Sequence, residues 1–173
     1  HGMSNFDENF NGGAGNDTIH ANNGDDVLVG GAGDDLVHGG NGNDTYIWAK
    51  GDGNDTINEH GTSLSEVDKL ALTDVASDDV RLTRVNGNND LLITIISTGE
   101  VLTVDHQFYS TGTGYGLEAI SFSDGVTWSL EDIQANTWVN GTSGNETLHG
   151  MSNFDENFNG GAGNDTIHAN NGD

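Results

Sequence analysis

The sequence predicts an all-β protein, a solenoid of stacked parallel strands interrupted by a β-rich segment. A nine-residue period with glycine-rich turns runs through residues 3–58 and restarts near residue 141. Each period carries an apolar residue at a fixed place, as expected of a short strand that buries one face. The chain contains 27 Gly and no Pro, so its turns can adopt positive φ and its strands keep their hydrogen-bond donors.

The first solenoid element consists of six consecutive nonapeptides, of which GGAGNDTIH at 12–20 is typical. We interpret each as a turn followed by a strand, so that two nonapeptides form one coil of 18 residues. Strands two nonapeptides apart then pair in parallel at a spacing of about 4.8 Å. The eighth-position side chains should form two inner stacks, which are Phe10, Leu28 and Tyr46, and Ile19, Val37 and Ile57.

The sixth position of every nonapeptide is acidic. Stacking should bring these carboxylates together from alternate turns, and carboxylates a few ångströms apart repel each other. A hard divalent cation removes that repulsion, and an all-oxygen, flexible ligand set favours Ca²⁺ over Zn²⁺ or Mg²⁺. The alternative is that they are solvated turn residues. The predicted metal ligands of this block are Glu8, Asp17, Asp26, Asp35, Asp44 and Asp55.

Residues 62–139 have a different texture, with apolar and β-branched runs separated by turn signals. The signals at 86–89 and 98–99 are typical of hairpin loops, which predicts a meander; continued solenoid winding is the alternative. Ser129 is predicted to cap a helical turn through Ala135, with Asp132 at the capping-box position. We interpret Asp68 and Asp124 as turn residues, with calcium binding as the alternative.

The nonapeptide pattern restarts at 140, and residues 149–173 repeat residues 1–25 at all 25 positions. Three further metal ligands are predicted here: Glu146, Glu156 and Asp165. The predicted domains are a first solenoid at 1–61, an intervening β segment at 62–139 and the start of the next solenoid unit at 140–173. The 148-residue period predicts an array in which identical repeats are neighbours in the same chain.

The nonapeptides GGAGNDTIH, GGAGDDLVH and GGNGNDTYI resemble the calcium-binding repeats of RTX (hemolysin-type) proteins. The resemblance covers about residues 1–58 and 141–173. It implies a right-handed parallel β-roll with Ca²⁺ in the turns and export by type I secretion. Glu8, Phe6 and the residue pairs at 3–4 and 21–22 depart from the motif. The strings LLITI and GLEAISFSDGVTW are similar to the hemolysin-type calcium-binding-related segment found between RTX blocks.

Charge restricts the function. A formal net charge of −24, with 28 acidic residues against four Lys and Arg, argues against nucleic acid and membrane surfaces as partners. Neither HExxH nor GxSxG occurs, so we expect no enzyme. We predict a calcium-binding extender or spacer of a secreted, adhesin-like RTX protein, located outside the cell or on a bacterial surface, where it folds on binding calcium.

A carbohydrate-binding RTX module of a secreted enzyme is the alternative function, with a glycan or a cell surface as partner. Its sugar-binding surface would consist of Arg81, Arg84, Tyr109, Tyr115 and Trp128.

The histidines raise a separate question. His20 and His38 share the ninth position and should stack, with His1 joining them. We interpret this row as an exposed cross-strand ladder; transition-metal binding or pH sensing is the alternative. Asp105 and His106, next to Ser110, are interpreted as a satisfied polar loop, and His60 fits no pattern.

Overall fold

The computed structural model describes residues 1–3, 5–61, 63–84, 88–109, 114–151 and 156–170. Within them, no helix has the length and apolar character needed to cross a membrane. The helical elements are a 3₁₀ turn (Ser77–Asp79) and helix α1 (Leu130–Asn136). The strands are β1 (Asn9–Ala14), β2 (Thr18–Asn23), β3 (Val27–Ala32), β4 (Leu36–Asn41), β5 (Thr45–Trp48), β6 (Thr56–Asn58), β7 (His60–Gly61), β8 (Lys69–Leu72), β9 (Val80–Arg84), β10 (Leu91–Ile95), β11 (Val101–Asp105), β12 (Gly114–Tyr115), β13 (Ala119–Ser121), β14 (Thr127–Ser129), β15 (Thr137–Asn140), β16 (Thr147–His149), β17 (Asn157–Asn159) and β18 (Thr166–His168).

Two sheets build the roll, and successive nonapeptides alternate between them. The first sheet has the strand order β1-β3-β5-β8-β13-β14, and the second has the order β17-β15-β9-β10-β11-β6-β4-β2. All pairs among β1 to β6 are parallel. The prediction of an all-β protein built on a parallel β-roll is confirmed.

The strand register also confirms both inner stacks. Phe10 is paired with Leu28, and Leu28 with Tyr46, in the first sheet. The second sheet pairs Ile19 with Val37 and Val37 with Ile57. Strands β1 to β4 are six residues long, because residues after each apolar stretch also pair with the adjacent coil. Gly13 pairs with Gly31, for example, and Asn22 pairs with Gly40.

The intervening segment is both a meander and a continuation of the roll. Strands β9, β10 and β11 are antiparallel, as predicted, although residues 85–87 of the first hairpin loop lie outside the described part of the chain. Strand β11 pairs in parallel with β6, while β8 and then β13 extend the first sheet in parallel. The segment therefore shares one apolar core with the nonapeptides.

Helix α1 begins as predicted. The hydroxyl of Ser129 accepts a hydrogen bond from the backbone N–H of Asp132, and the Asp132 carboxylate accepts one from the N–H of Ser129. This reciprocal capping box satisfies two donors that a helix start leaves unpaired. Ile133 anchors the helix in the core.

The glycine turns allow successive coils to approach closely. Gly31 has φ +100°, a conformation that other residues rarely adopt, and a Cβ on it would collide with the carbonyl oxygen of Gly13 in the preceding coil. Gly13 has nearly the same φ, +101°, but a Cβ there would meet nothing within 4 Å. Backbone conformation and coil contact thus impose separate demands on the turn.

Candidate metal sites in the turns

The acidic residues at one edge of the roll form a hydrogen-bonded series that we call the first ladder. At each step the backbone N–H of one member donates to the carboxylate of the next. The N–O distances in chain order are 2.7, 2.8, 2.7 and 2.8 Å. The members of the first ladder are Glu8, Asp26, Asp44, Asp68 and Glu118.

The opposite edge carries a second ladder of Asp17, Asp35 and Asp55. Here the N–H of Asp17 donates to Asp35 at 2.8 Å, and that of Asp35 donates to Asp55 at 2.9 Å. The ladder ends because the register places Leu102 after Asp55. All four carboxylate pairs that the nonapeptide period predicts in residues 1–58 are thus brought together.

One oxygen of several ladder carboxylates has no hydrogen bond. The Oδ2 atoms of Asp17, Asp26, Asp35 and Asp44 are buried and lack a hydrogen-bond partner among the described residues. The Oδ2 atoms of Asp35 and Asp44 each lie against the glycine that begins the same nonapeptide. A Cβ on Gly30 would collide with Oδ2 of Asp35. Buried, unpaired carboxylate oxygens are costly unless a cation satisfies them. The residues therefore fit a hard, oxygen-binding ion such as Ca²⁺.

Burial also shifts the acid–base equilibria of the ladders. It raises the pKa of Asp44 to about 6 and the pKa values of Asp55 and Asp68 to about 7, with neighbouring carboxylates acting in the same direction. The pKa of Asp26 is raised for the same reasons. Without a cation, Asp44, Asp55 and Asp68 therefore bind protons at a higher pH than free carboxyl groups do, and a bound cation favours their ionised form.

Glu59 was missed by the sequence analysis. It is fully buried, and its carboxylate lies with those of Asp44 and Asp68 so that one oxygen from each is within 4.8 Å of the others. The hydroxyl of Tyr46 donates to Glu59, and burial raises the pKa of Glu59 to about 9. One sequence signal could have identified Glu59. It directly follows the nonapeptide at 50–58, at a first position where residues 12, 21, 30 and 39 are Gly or Ala.

Asp68 is buried at a place equivalent to the sixth position of a nonapeptide, and it does not lie in a solvated turn. Lys69 pairs with Thr45, so Asp68 stands beside Asp44 and is buried there. The interpretation of Asp68 as a turn residue is wrong because a spacing of 24 residues, instead of 18, concealed the repeat. Asp124 is an exposed turn residue, as interpreted, and accepts hydrogen bonds from the N–H and hydroxyl of Ser77.

The second copy of the repeat forms a shorter version of these contacts. The N–H of Glu146 donates to the carboxylate of Asp165 at 3.0 Å, and strands β16 and β18 pair in parallel beside them. This pair corresponds to one step of a ladder.

Glu156 has a different partner from the one predicted. Its Oε1 accepts from Nε of Arg84 at 2.7 Å and lies 2.6 Å from NH2 of Arg84, which also donates to the carbonyl of His149. The charged partner of Glu156 is thus a guanidinium from the intervening segment. Oε2 of Glu156 accepts from the backbone N–H of Met151 at 2.6 Å, and the same oxygen of Glu8 accepts from the corresponding N–H of Met3.

The predicted sugar-binding surface is incomplete because two of its five side chains pack inside the protein. Arg84 is only 3% exposed, because the second sheet carries it inward between Leu91 and Val139. Trp128 packs edge-on against Phe122 at the core, with ring centroids 4.7 Å apart. Neither side chain is presented to a ligand as predicted.

The histidine row is present. His20 stacks on His38 with ring centroids 4.3 Å apart, and His1 stacks on His20 at 4.8 Å. Burial lowers the pKa of His20, with His38 contributing in the same direction.

Two protein-family models match the sequence. The model of the RTX calcium-binding nonapeptide repeat matches four copies, at residues 5–46 and 152–173. The model of the haemolysin-type calcium binding protein related domain matches residues 90–132. The two matches together span more than half of the chain. No curated protein matches it.

Proposed function

We propose that this chain, which belongs to the RTX family of calcium-binding repeat proteins, is a structural extender that folds when it binds calcium outside the cell. The observation that carries the proposal is a row of buried carboxylate oxygens in the turns that have no hydrogen-bond partner in the described part of the chain, on Asp17, Asp26, Asp35 and Asp44. A chain that folded without a cation would have to bury these oxygens unpaired.

In Asp26, Asp35 and Asp44 the two carboxylate oxygens have separate tasks. Oδ1 of Asp44 accepts the backbone N–H of Asp26 and so ties one coil to the next, while Oδ2 stays free of hydrogen bonds among the described residues. When bound, calcium supplies the positive charge that keeps such carboxylates ionised inside the turns. The residues that fix the stacking of coils are thus also the ion ligands, which couples folding to ion binding.

The group of Asp44, Glu59 and Asp68 is the most enclosed of these candidate sites. Its three carboxylates are all buried, and the N–H of Gly40 and the hydroxyl of Tyr46 orient Glu59. Calcium binds in oxygen-rich sites of this kind, in which several carboxylates converge and are themselves held by hydrogen bonds from neighbouring groups. We propose that this site joins the nonapeptides to the intervening segment.

The charge of the chain supports export before folding. With a net charge of −24, the calcium-free chain repels itself, and few cations are available to offset the repulsion. At the low calcium concentration of the cytosol the chain would stay unfolded. At millimolar calcium outside the cell, binding to the folded form alone would drive folding. We therefore place the protein on the type I secretion route, as an extracellular or bacterial cell-surface protein.

The 148-residue period supports a spacer role. Identical copies add length but no new chemistry, which suits the stalk of an adhesin-like protein better than a catalyst. The partners we propose are calcium ions and neighbouring identical repeats, with a glycan or cell surface contacted by the larger protein. Nucleic acid and membranes are not proposed as partners, because the chain is strongly acidic.

A carbohydrate-binding module is the second candidate. Tyr109 is 56% exposed and lies edge-on to Tyr115, at a centroid distance of 5.4 Å, so two rings of the predicted sugar surface are adjacent. A glycan array in calcium tests this role. Glycan binding that Tyr109→Ala abolishes would favour the module over the spacer.

Circular dichroism during a calcium titration tests the leading proposal, with chelator reversal and magnesium as the ion control. We expect strand content to appear with calcium and to disappear on chelation. Asp35→Asn should raise the calcium midpoint at least about tenfold, because it removes a ligand charge and keeps the shape of the side chain.

Asp34→Asn is the matched control for this titration. Asp34 is the exposed neighbour of Asp35, and the substitution removes the same charge. We expect little change in the midpoint. Equal shifts of the midpoint in the two variants would show that net charge, and not ion binding by Asp35, sets the calcium dependence. Full strand content in the calcium-free chain would overturn the proposal.

A further inference from the structure

Two imidazoles and one carboxylate meet at the end of β11, at a place separate from both ladders. The residues are His60, Asp105 and His106, and one ligand atom from each lies within 4.8 Å of the other two. The parallel pairing of β6 with β11 places Asn58 opposite Asp105 and brings His60 next to His106. Residues distant in sequence thus form one cluster.

The backbone at His106 is specialised. Its φ is +58°, in the left-handed region that is uncommon for residues other than glycine. The N–H of His106 donates to Asp90 at 2.9 Å, and its carbonyl accepts from the N–H of Tyr109 at 3.0 Å. These bonds hold a turn in which the imidazole faces His60, with the ring centroids 5.4 Å apart.

Asp105 is oriented for a ligand on one side. Its Oδ2 accepts a hydrogen bond from the side-chain amide of Asn58 at 2.7 Å, and its Oδ1 lies 2.8 Å from Nδ1 of His106. That nitrogen is shielded from solvent but makes no hydrogen bond of acceptable geometry among the described residues. A nitrogen and an oxygen are therefore close together without a hydrogen bond that would satisfy both.

Two tyrosines enclose the cluster. Tyr115 packs edge-on against His60 with centroids 4.7 Å apart, and Tyr109 packs edge-on against His106 at 5.5 Å. Aromatic walls limit the rotation of both imidazoles. His60 nevertheless remains solvent-exposed, so an ion has a route to the cluster.

We propose that His60, Asp105 and His106 bind a divalent transition-metal ion, for which Zn²⁺ is the test case. Imidazole nitrogens with one carboxylate suit Zn²⁺, Ni²⁺ or Cu²⁺, whereas Ca²⁺ takes oxygen ligands alone. Ligand atoms around tetrahedral zinc are about 3.3 Å apart, so small side-chain rotations assemble the site. Three protein ligands leave a coordination position for water or an external ligand.

The arrangement also follows the pattern of known metal sites beyond the ligands themselves. A ligating carboxylate is usually held by an outer hydrogen-bond donor, and Asn58 has that position here. The bound ion would tie β7, and the strand β12 that pairs with it, to the end of the meander. It would therefore fasten a part of the molecule that neither ladder reaches.

Zinc titration into calcium-saturated protein, followed by calorimetry, tests the proposal. Cobalt absorption spectra report whether imidazoles are ligands. We expect one zinc ion per cluster, and at least about tenfold weaker binding for His60→Asn and for His106→Asn, since even outer-shell partners cost about 10- to 100-fold. Asparagine is chosen at 106 because it tolerates positive φ.

His20→Asn is the control, because it removes an imidazole from the stacked row and leaves the cluster intact. We expect this variant to bind zinc as the unmodified chain does. The proposal is overturned if the unmodified chain does not bind zinc, or if binding is lost in His20→Asn and kept in His60→Asn. His60 is exposed, so its replacement preserves the fold and decides the question even if His106→Asn does not fold.

Discussion

Glu156 has a charged partner that lies 72 residues away in the sequence, the guanidinium of Arg84. Arg84 and Glu156 expose only 2% and 7% of their side chains. An ion pair this deep is destabilising to break, because the remaining charge stays buried without compensation. A side chain of the intervening segment thus does for Glu156 what calcium is proposed to do for the ladders.

Glu156→Gln should therefore destabilise the second copy by about 3–5 kcal/mol, since it leaves the Arg84 guanidinium unpaired. Hydrogen exchange of residues 157–168 and urea denaturation, both in saturating calcium, measure the loss. Glu131→Gln is the control, because it makes the same substitution at an exposed position, and it should cost far less. Equal losses at the two positions would show that the ion pair has no special role.

At the scale of the element, the nonapeptide could be predicted well because its period is regular. One apolar side chain and one carboxylate per nine residues were enough to derive the pairing of strands, both inner stacks and the second ladder. Prediction failed where the spacing changed. Asp68 and Glu118 join the first ladder after loops of other lengths, so the nine-residue spacing does not identify them. An apolar residue still follows each of them two places on, at Leu70 and Ile120.

Long-range packing was also beyond the sequence pattern. Arg84 shares a strand face with the buried Leu82, but a cationic side chain is rarely buried without a partner; β9 pairs with both β10 and β15, which encloses it. His60 and His106 meet only because the meander returns β11 to the side of β6. Contacts of this kind depend on the order of strands in the sheet, which the period does not encode.

The turn glycines permit a test that separates backbone strain from coil contact. Gly31→Ala should destabilise the roll more than Gly13→Ala, because both have φ near +100° but only a Cβ on Gly31 would collide with the backbone of the preceding coil. Left-handed strain alone costs about 1–2 kcal/mol, and the collision adds to it. Thermal denaturation in saturating calcium measures both. Similar losses would mean that the coils can separate at no cost.

At the scale of the whole molecule, calcium should reverse the dependence of stability on pH. Without calcium, Asp44, Asp55 and Asp68 have pKa values of about 6 to 7 in the folded state and about 4 when unfolded. The folded state then binds more protons between these values, so the free energy of unfolding falls as pH rises through that window. With calcium bound, the same carboxylates are ionised, and acid displaces the ion.

Thermal denaturation followed by circular dichroism, at about pH 5 and about pH 7.5, tests this reversal. We expect the calcium-free chain to gain structure at the lower pH and the calcium-saturated chain to lose stability there. The same direction of change in both conditions would contradict the assignment of these carboxylates as ion ligands.

The two sheets do not continue equally into the second copy. The first sheet ends at β14, while the second continues through β15 to β17; in the described residues, β16 and β18 form a sheet of their own. A tensile load between the copies would therefore pass through the pairing of β15 with β17, the buried pair of Arg84 and Glu156 and the side-chain amide of Asn157, and not through both sheets. Such a joint is more compliant than the coils on either side, so a stalk built this way would flex at its joints and keep its segments stiff.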